Sequence, residues 1–218
     1  MRKIINRHND LIATLRQKLS EADREGEGRP AWKLEKRAEA LETARRASGN
    51  LTVELKVEAA NQRIFARDVF NETRKGGAKT KPAPSEKLFW QQQAQALFNG
   101  RAPEQRIELY KYQLTKMTPE ERQAWRYVFD DNLELSVYGE PALEYQAAQI
   151  INQHRTIDEK VALHAMRKAD RFEEFVPTLT AIFQTNLKEA EAGEASANDP
   201  DNVLSDIEQN VEAEFARV

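Results

Sequence analysis

The residues with the strongest claim to chemistry in this chain are few, and each falls short of a working constellation. Gly76-Gly77-Ala78-Lys79-Thr80 is the nearest approach to a phosphate loop. A Walker A loop needs Lys directly after its second Gly and another Gly five residues before that one, and here Ala78 intervenes while position 72 is Glu. No buried strand precedes the segment to support a backbone cradle, so it reads as linker. The three histidines, His8, His154 and His164, match neither H-E-x-x-H nor the helical Glu-x-x-His pair of di-iron bundles. Asp130-Asp131 and Glu173-Glu174 could serve as acid and base if a cleft gathered them, but neighbours on a helix point about 100° apart, which reads as solvated surface. The chain has no cysteine, which removes disulfides, thiolate metal sites and cysteine nucleophiles together. The expectation is therefore a protein that is not an enzyme, with no catalytic, metal or cofactor-binding residue and no cofactor.

Two kinds of binding chemistry remain. The first 90 residues carry 20 basic and 13 acidic side chains, a net +7, whereas the remainder carries 13 and 23, a net −10. A phosphate backbone needs cations on one face. Between Lys33 and Arg46 the cations interleave with Glu35, Glu39 and Glu42 at helical spacing, the pattern of a self-neutralising helix. Only Arg74, Lys75, Lys79 and Lys81 are basic without local compensation, and they are the candidate nucleic-acid contacts. Protein contact is the other chemistry, with candidate interface residues Ile5, Ile12, Leu15, Leu19, Trp32, Leu204, Ile207, Val211 and Phe215.

Composition limits the class that must position these groups. Charged residues make up 32% and hydrophobic residues 40% of 218, the balance of a chain with much solvated surface. No apolar run approaches the ~20 residues of a spanning helix, and the amino terminus lacks the apolar core of a signal peptide. A cytoplasmic protein is expected, or one incorporated into an assembly formed there, such as a virion.

The periodicity points to an all-α fold. Ile5, His8, Ile12, Leu15, Leu19 and Ala22 recur at spacings of three and four, placing all six on one stripe in which only His8 is out of character. Glu25 to Pro30 stops that helix, and Leu34, Ala38, Leu41 and Ala44 open a second, together a helical hairpin or coiled-coil arm over residues 1–75. After Ser48-Gly49-Asn50, Leu51, Val53, Leu55 and Val57 alternate with polar residues as a strand would. Val53, Val57, Ala60 and Ile64 also share a helical face, and a helix to about Arg74 is favoured.

A flexible linker, residues 76–84, then leads to a compact multi-helix domain over residues 85–191. Its six short helices are punctuated by Ser85, Asn99-Gly100, Pro103, Gly139, Pro141 and Pro177. Capping boxes are expected at Thr118-Pro119-Glu120-Glu121 and Thr156-Ile157-Asp158-Glu159. Aromatics from Phe89 to Phe183 read as its core. Residues 192–218 form an acidic tail whose Leu204, Ile207, Val211, Phe215 and Val218 share one face, predicting a helix from about Asn202 that docks on a partner or on the chain's own basic half.

In organisation the chain resembles the small helical assembly proteins of viruses and large complexes. That resemblance implies a non-enzymatic assembly, scaffold or adaptor protein acting through protein–protein contacts, with protein partners, as a homo-oligomer or part of a larger assembly. A nucleic-acid-associated protein using the basic N-terminal half is the alternative, and no membrane partner is expected.

Overall fold

The computed structural model describes residues 1–25, 29–75 and 83–216, with side chains to residue 213. Among the described residues the fold is all-α, with eight helices and no strand. These are α1 (Arg2–Glu25), α2 (Pro30–Arg74), α3 (Pro84–Phe98), α4 (Pro103–Lys116), α5 (Pro119–Ser136), α6 (Pro141–Gln153), α7 (Ile157–Ala192) and α8 (Pro200–Ala216). Proline opens α2, α3, α4, α5, α6 and α8. At a first helical position the missing N–H has no intrahelical partner to lose and the fixed φ is already helical.

Both expected capping boxes are present. Thr118 Oγ1 accepts from the Glu121 N–H at 3.2 Å while Glu121 Oε2 accepts from the Thr118 N–H at 2.9 Å. Thr156 and Glu159 repeat the exchange at 3.2 and 2.7 Å at the start of α7. Two caps differ from expectation. Helix α3 starts one residue before Ser85, with the Ala83 N–H donating to Glu86 Oε2. Helix α8 starts at Pro200, two residues before the expected Asn202, and Asp199 accepts from the Asp201 N–H at 2.9 Å.

Two helices are longer than the punctuation suggested. Gly49-Asn50 does not end the second helix, and residues 51–57 are helical within the 45 residues of α2. Pro177 lies inside α7 instead of ending it. Interior proline forfeits a hydrogen bond and crowds the preceding turn, at about 3 kcal/mol. Here Phe172, Val176, Leu179 and Phe183 on both sides of it are buried in one core, and that burial holds the helix together.

The contacts divide the chain into two compact units, and not at the linker. The first comprises Met1–Phe65 with Arg167–Ala216, the second Ala66–Met166, so the division falls within α2 and α7. The expected domain of residues 85–191 is thereby split, because the apolar face of residues 172–190 is buried with residues 4–59. The expected linker, residues 76–84, lies outside the described residues up to position 82.

The first unit has a core of Ile4, Ile5, Leu51, Leu55, Phe172, Leu179, Phe183, Leu204 and Ile207, among others. Beside it, Ile12, Leu15 and Leu19 are buried with Ala40, Ala44, Leu187 and Ala190. The second unit is built around Phe98, Tyr110, Trp125, Phe129, Leu133 and Ile151 from α3 to α6, with Phe70, Ala162 and Leu163 in a smaller cluster. Phe89, expected in that core, is exposed.

Candidate functional site

The densest polar chemistry lies in the second unit, where α5 carries Arg126 and Asp130 four residues apart on its buried side. Asp130 is 1% exposed, so the acidic pair read as solvated surface is not one. The 100° between neighbours turns Asp130 inward and leaves Asp131 half in solvent. Tyr110 of α4 donates its hydroxyl to Asp130 Oδ1 at 2.7 Å. Arg126 Nη2 donates to both carboxylate oxygens of Glu159, at 2.5 and 2.6 Å, and Nη1 donates to the His154 carbonyl. Glu159 thus caps α7 and binds Arg126 at once. From the last turn of α2, Arg74 donates to Asp131 Oδ1 at 2.8 Å and to the Tyr127 carbonyl at 3.3 Å. Its guanidinium, like that of Arg155, lies 5.3 Å from the Phe70 ring centroid.

Burial sets the electrostatics of the cluster. It pushes the Asp130 carboxyl up to about 6, against the opposing pull of Arg126, the Tyr110 hydrogen bond, Arg74 and Arg155. Burial, then the Asp130 charge and hydrogen bond, hold the Tyr110 hydroxyl firmly protonated. Burial disfavours the charge of Arg126, but Asp130 and Glu159 outweigh it and raise the group. Arg155 is lowered by burial, and its Nε and Nη1 are enclosed without a hydrogen-bond partner. His154 is lowered by burial and then by Arg126 and Arg122.

Beside the cluster opens a cleft of about 750 Å³ lined by Arg74, Arg122, Arg126, His154, Asp158 and Glu159. Asp130, the group poised to exchange a proton near neutrality, does not line it, and Arg126 does. The arrangement is an ionic clasp joining α2, α4, α5 and the start of α7, in which each carboxylate is held by a cation or a hydroxyl. No group of three or more His, Asp or Glu side chains is placed to hold a metal ion among the described residues. None of their helices is long and apolar enough to cross a membrane.

The residues singled out from the sequence are not brought together. Ile5, Leu204, Ile207 and Val211 meet in one core of the first unit, while Ile12, Leu15 and Leu19 lie in the adjoining cluster. All seven are covered by their own chain and offer no surface to another. Trp32 is partly exposed near the start of α2. Arg74 is committed to Asp131, and Lys75 lines a cleft of about 490 Å³ with Lys87 and Gln91. Lys79, Lys81 and the Phe215 side chain lie outside the described residues.

What the sequence reading passed over is the outer face of α2. There Val53, Val57 and Ile64 are 60%, 54% and 60% exposed, and Phe65, about 100° round the helix from Ile64, is exposed as well. The shared face of Val53, Val57 and Ile64 is legible in their spacing, the same spacing that favours helix over strand there.

The chain matches no family model, no curated protein and no solved structure.

Proposed function

We propose that the protein is a non-enzymatic helical assembly, scaffold or adaptor component that acts through protein–protein contacts, within a larger complex or a virion. The observation that carries this reading is α2, which is apolar on two faces within the first unit. Leu51, Leu55 and Ala59 point into the core, while Val53, Val57 and Ile64 point out of it on the opposite side. A helix apolar on opposite sides is characteristic of one covered on both. Fully burying each of those outer side chains would contribute roughly 1.5–3 kcal/mol, enough for a few of them to anchor a partner.

The nucleic-acid reading draws less support. Arg7, Arg37, Arg45, Arg63 and Arg74 of the basic half are each paired with a carboxylate, so the cationic surface is largely neutralised within the chain.

The test is the double variant Val57→Asp/Ile64→Asp, compared with wild type by cross-linking and co-purification from the native source. Both positions are exposed, so helicity should be unchanged while the associated protein, a second copy or another chain, is lost. Retention of the wild-type complex would overturn the reading.

A further inference from the structure

His8 interrupts the apolar stripe of α1, and its side chain is fully enclosed, at 0% exposure. Its ring lies flat against that of Phe183 on α7, with centroids 3.8 Å apart and planes 5° from parallel. Neither Nδ1 nor Nε2 has a hydrogen-bond partner. The imidazole is therefore used as an aromatic filler, a role open only to its neutral form. A protonated ring carries two N–H donors and a charge, and an enclosed charge without a partner is far more costly than an enclosed neutral ring.

We infer that His8 is a proton-operated latch in the first unit: its neutral ring holds α1 against α7, and proton uptake expels it from the core and opens that unit. What makes the latch one-directional is the absence of a counter-charge at the ring. On α1, the adjacent Arg7 is held by Glu54 of α2 at 2.5 Å, and Asn9 donates to Asp201 of α8 at 3.1 Å. On α7, no ionisable side chain occurs between Glu174 and Lys188, and the buried oxygens one turn to either side of Phe183 belong to Thr180 and Asn186. None of these carboxylates or oxygens hydrogen-bonds the ring.

Burial accordingly lowers the His8 imidazole to about 4, from 6.5 when free. Above pH 6.5 both states are neutral there and the latch exerts no pH effect. As pH falls from 6.5 towards 4, the open chain takes up the proton and the folded one does not. The equilibrium then moves towards opening by up to about tenfold per pH unit, roughly 80-fold over the window. Opening would uncover Ile4, Ile5, Leu204 and Ile207, an apolar surface that neutral pH keeps hidden.

The experiment compares the full-length wild type with His8→Phe, which keeps the ring stack and cannot titrate. Urea unfolding at pH 7 and pH 4.5, read by hydrogen exchange within residues 1–65 and 167–213, gives the folding constant of the unit. The wild-type constant should fall about sixtyfold more than that of H8F between the two pH values. Parallel falls would overturn the latch. Should H8F fail to fold, NMR titration of the wild-type ring decides: a ring still neutral at pH 5 supports the inference, and one titrating near 6.5 overturns it.

Discussion

At the scale of single residues, helical geometry fixes how far two neighbouring side chains diverge and leaves open which of them is buried. Asp130-Asp131 in the sequence suggested a solvated pair because adjacent side chains diverge. In the structure that divergence buries Asp130 beneath Tyr110 and leaves Asp131 for Arg74. Spacing alone does not say which of two neighbours faces inward; that depends on α4 and α2, elements distant in sequence. The consequence is measurable. Asp130 is raised to about 6 from its free value of 3.8, so the folded state holds a proton that the unfolded chain releases. Its contribution is fully present below the unfolded value and is lost as pH rises through 6, a difference on the order of 3 kcal/mol. Asp130→Asn, which cannot ionise, should therefore gain stability relative to wild type between pH 4 and pH 8 by about that amount. Paired urea titrations at the two pH values check this, and a pH-independent difference would show that the carboxyl is not perturbed.

At the scale of elements, caps and proline starts were readable because they rest on local chemistry: Thr118 with Glu121, Thr156 with Glu159, and proline at first helical positions. Helix α2 was harder for a physical reason. Its inner residues Leu51 and Leu55 and its outer residues Val53 and Val57 interleave, so two apolar faces of one helix imitate the alternation of a strand. Gly49 added a false stop. A glycine inside a helix lowers stability without ending it, and the packing of Ala44 and Leu51 on either side carries the helix through. A Cβ at position 49 would meet nothing within 4 Å, and its φ is not positive. Gly49→Ala should therefore stabilise the protein by about 0.5–1 kcal/mol through the backbone alone, seen as a raised denaturation midpoint with unchanged slope. A loss of stability would mean that the helix is broken there after all.

At the scale of the whole molecule, the division into a basic and an acidic half was visible in the composition, but what it is for was not. Within the first unit, the two halves pair: Arg45 with Glu191 at 2.8 Å, Arg63 with Asp170 at 3.1 Å, and Arg2 with Glu208. Such exposed pairs contribute little each, about 0–1 kcal/mol, so they select the mating of segments more than they hold it. Burial does the holding. Helix α8 places Leu204, Ile207 and Val211 among Ile4, Ile5 and Phe183, and removing three such side chains forfeits on the order of 5 kcal/mol or more. That is comparable with the whole stability of many domains, about 5–15 kcal/mol. The sequence offers this closure only as one of two alternatives, because a tail that returns to its own amino terminus and a tail that seeks a partner share one amphipathic pattern. Truncation after residue 198 separates them. The first unit should lose protection in hydrogen exchange over residues 1–65 and 167–192, while the core from Ala94 to Ile151, assembled from α3 to α6 alone, keeps its own. Undiminished protection of residues 1–65 would mean that α8 is dispensable to the fold and that its apolar face serves another chain.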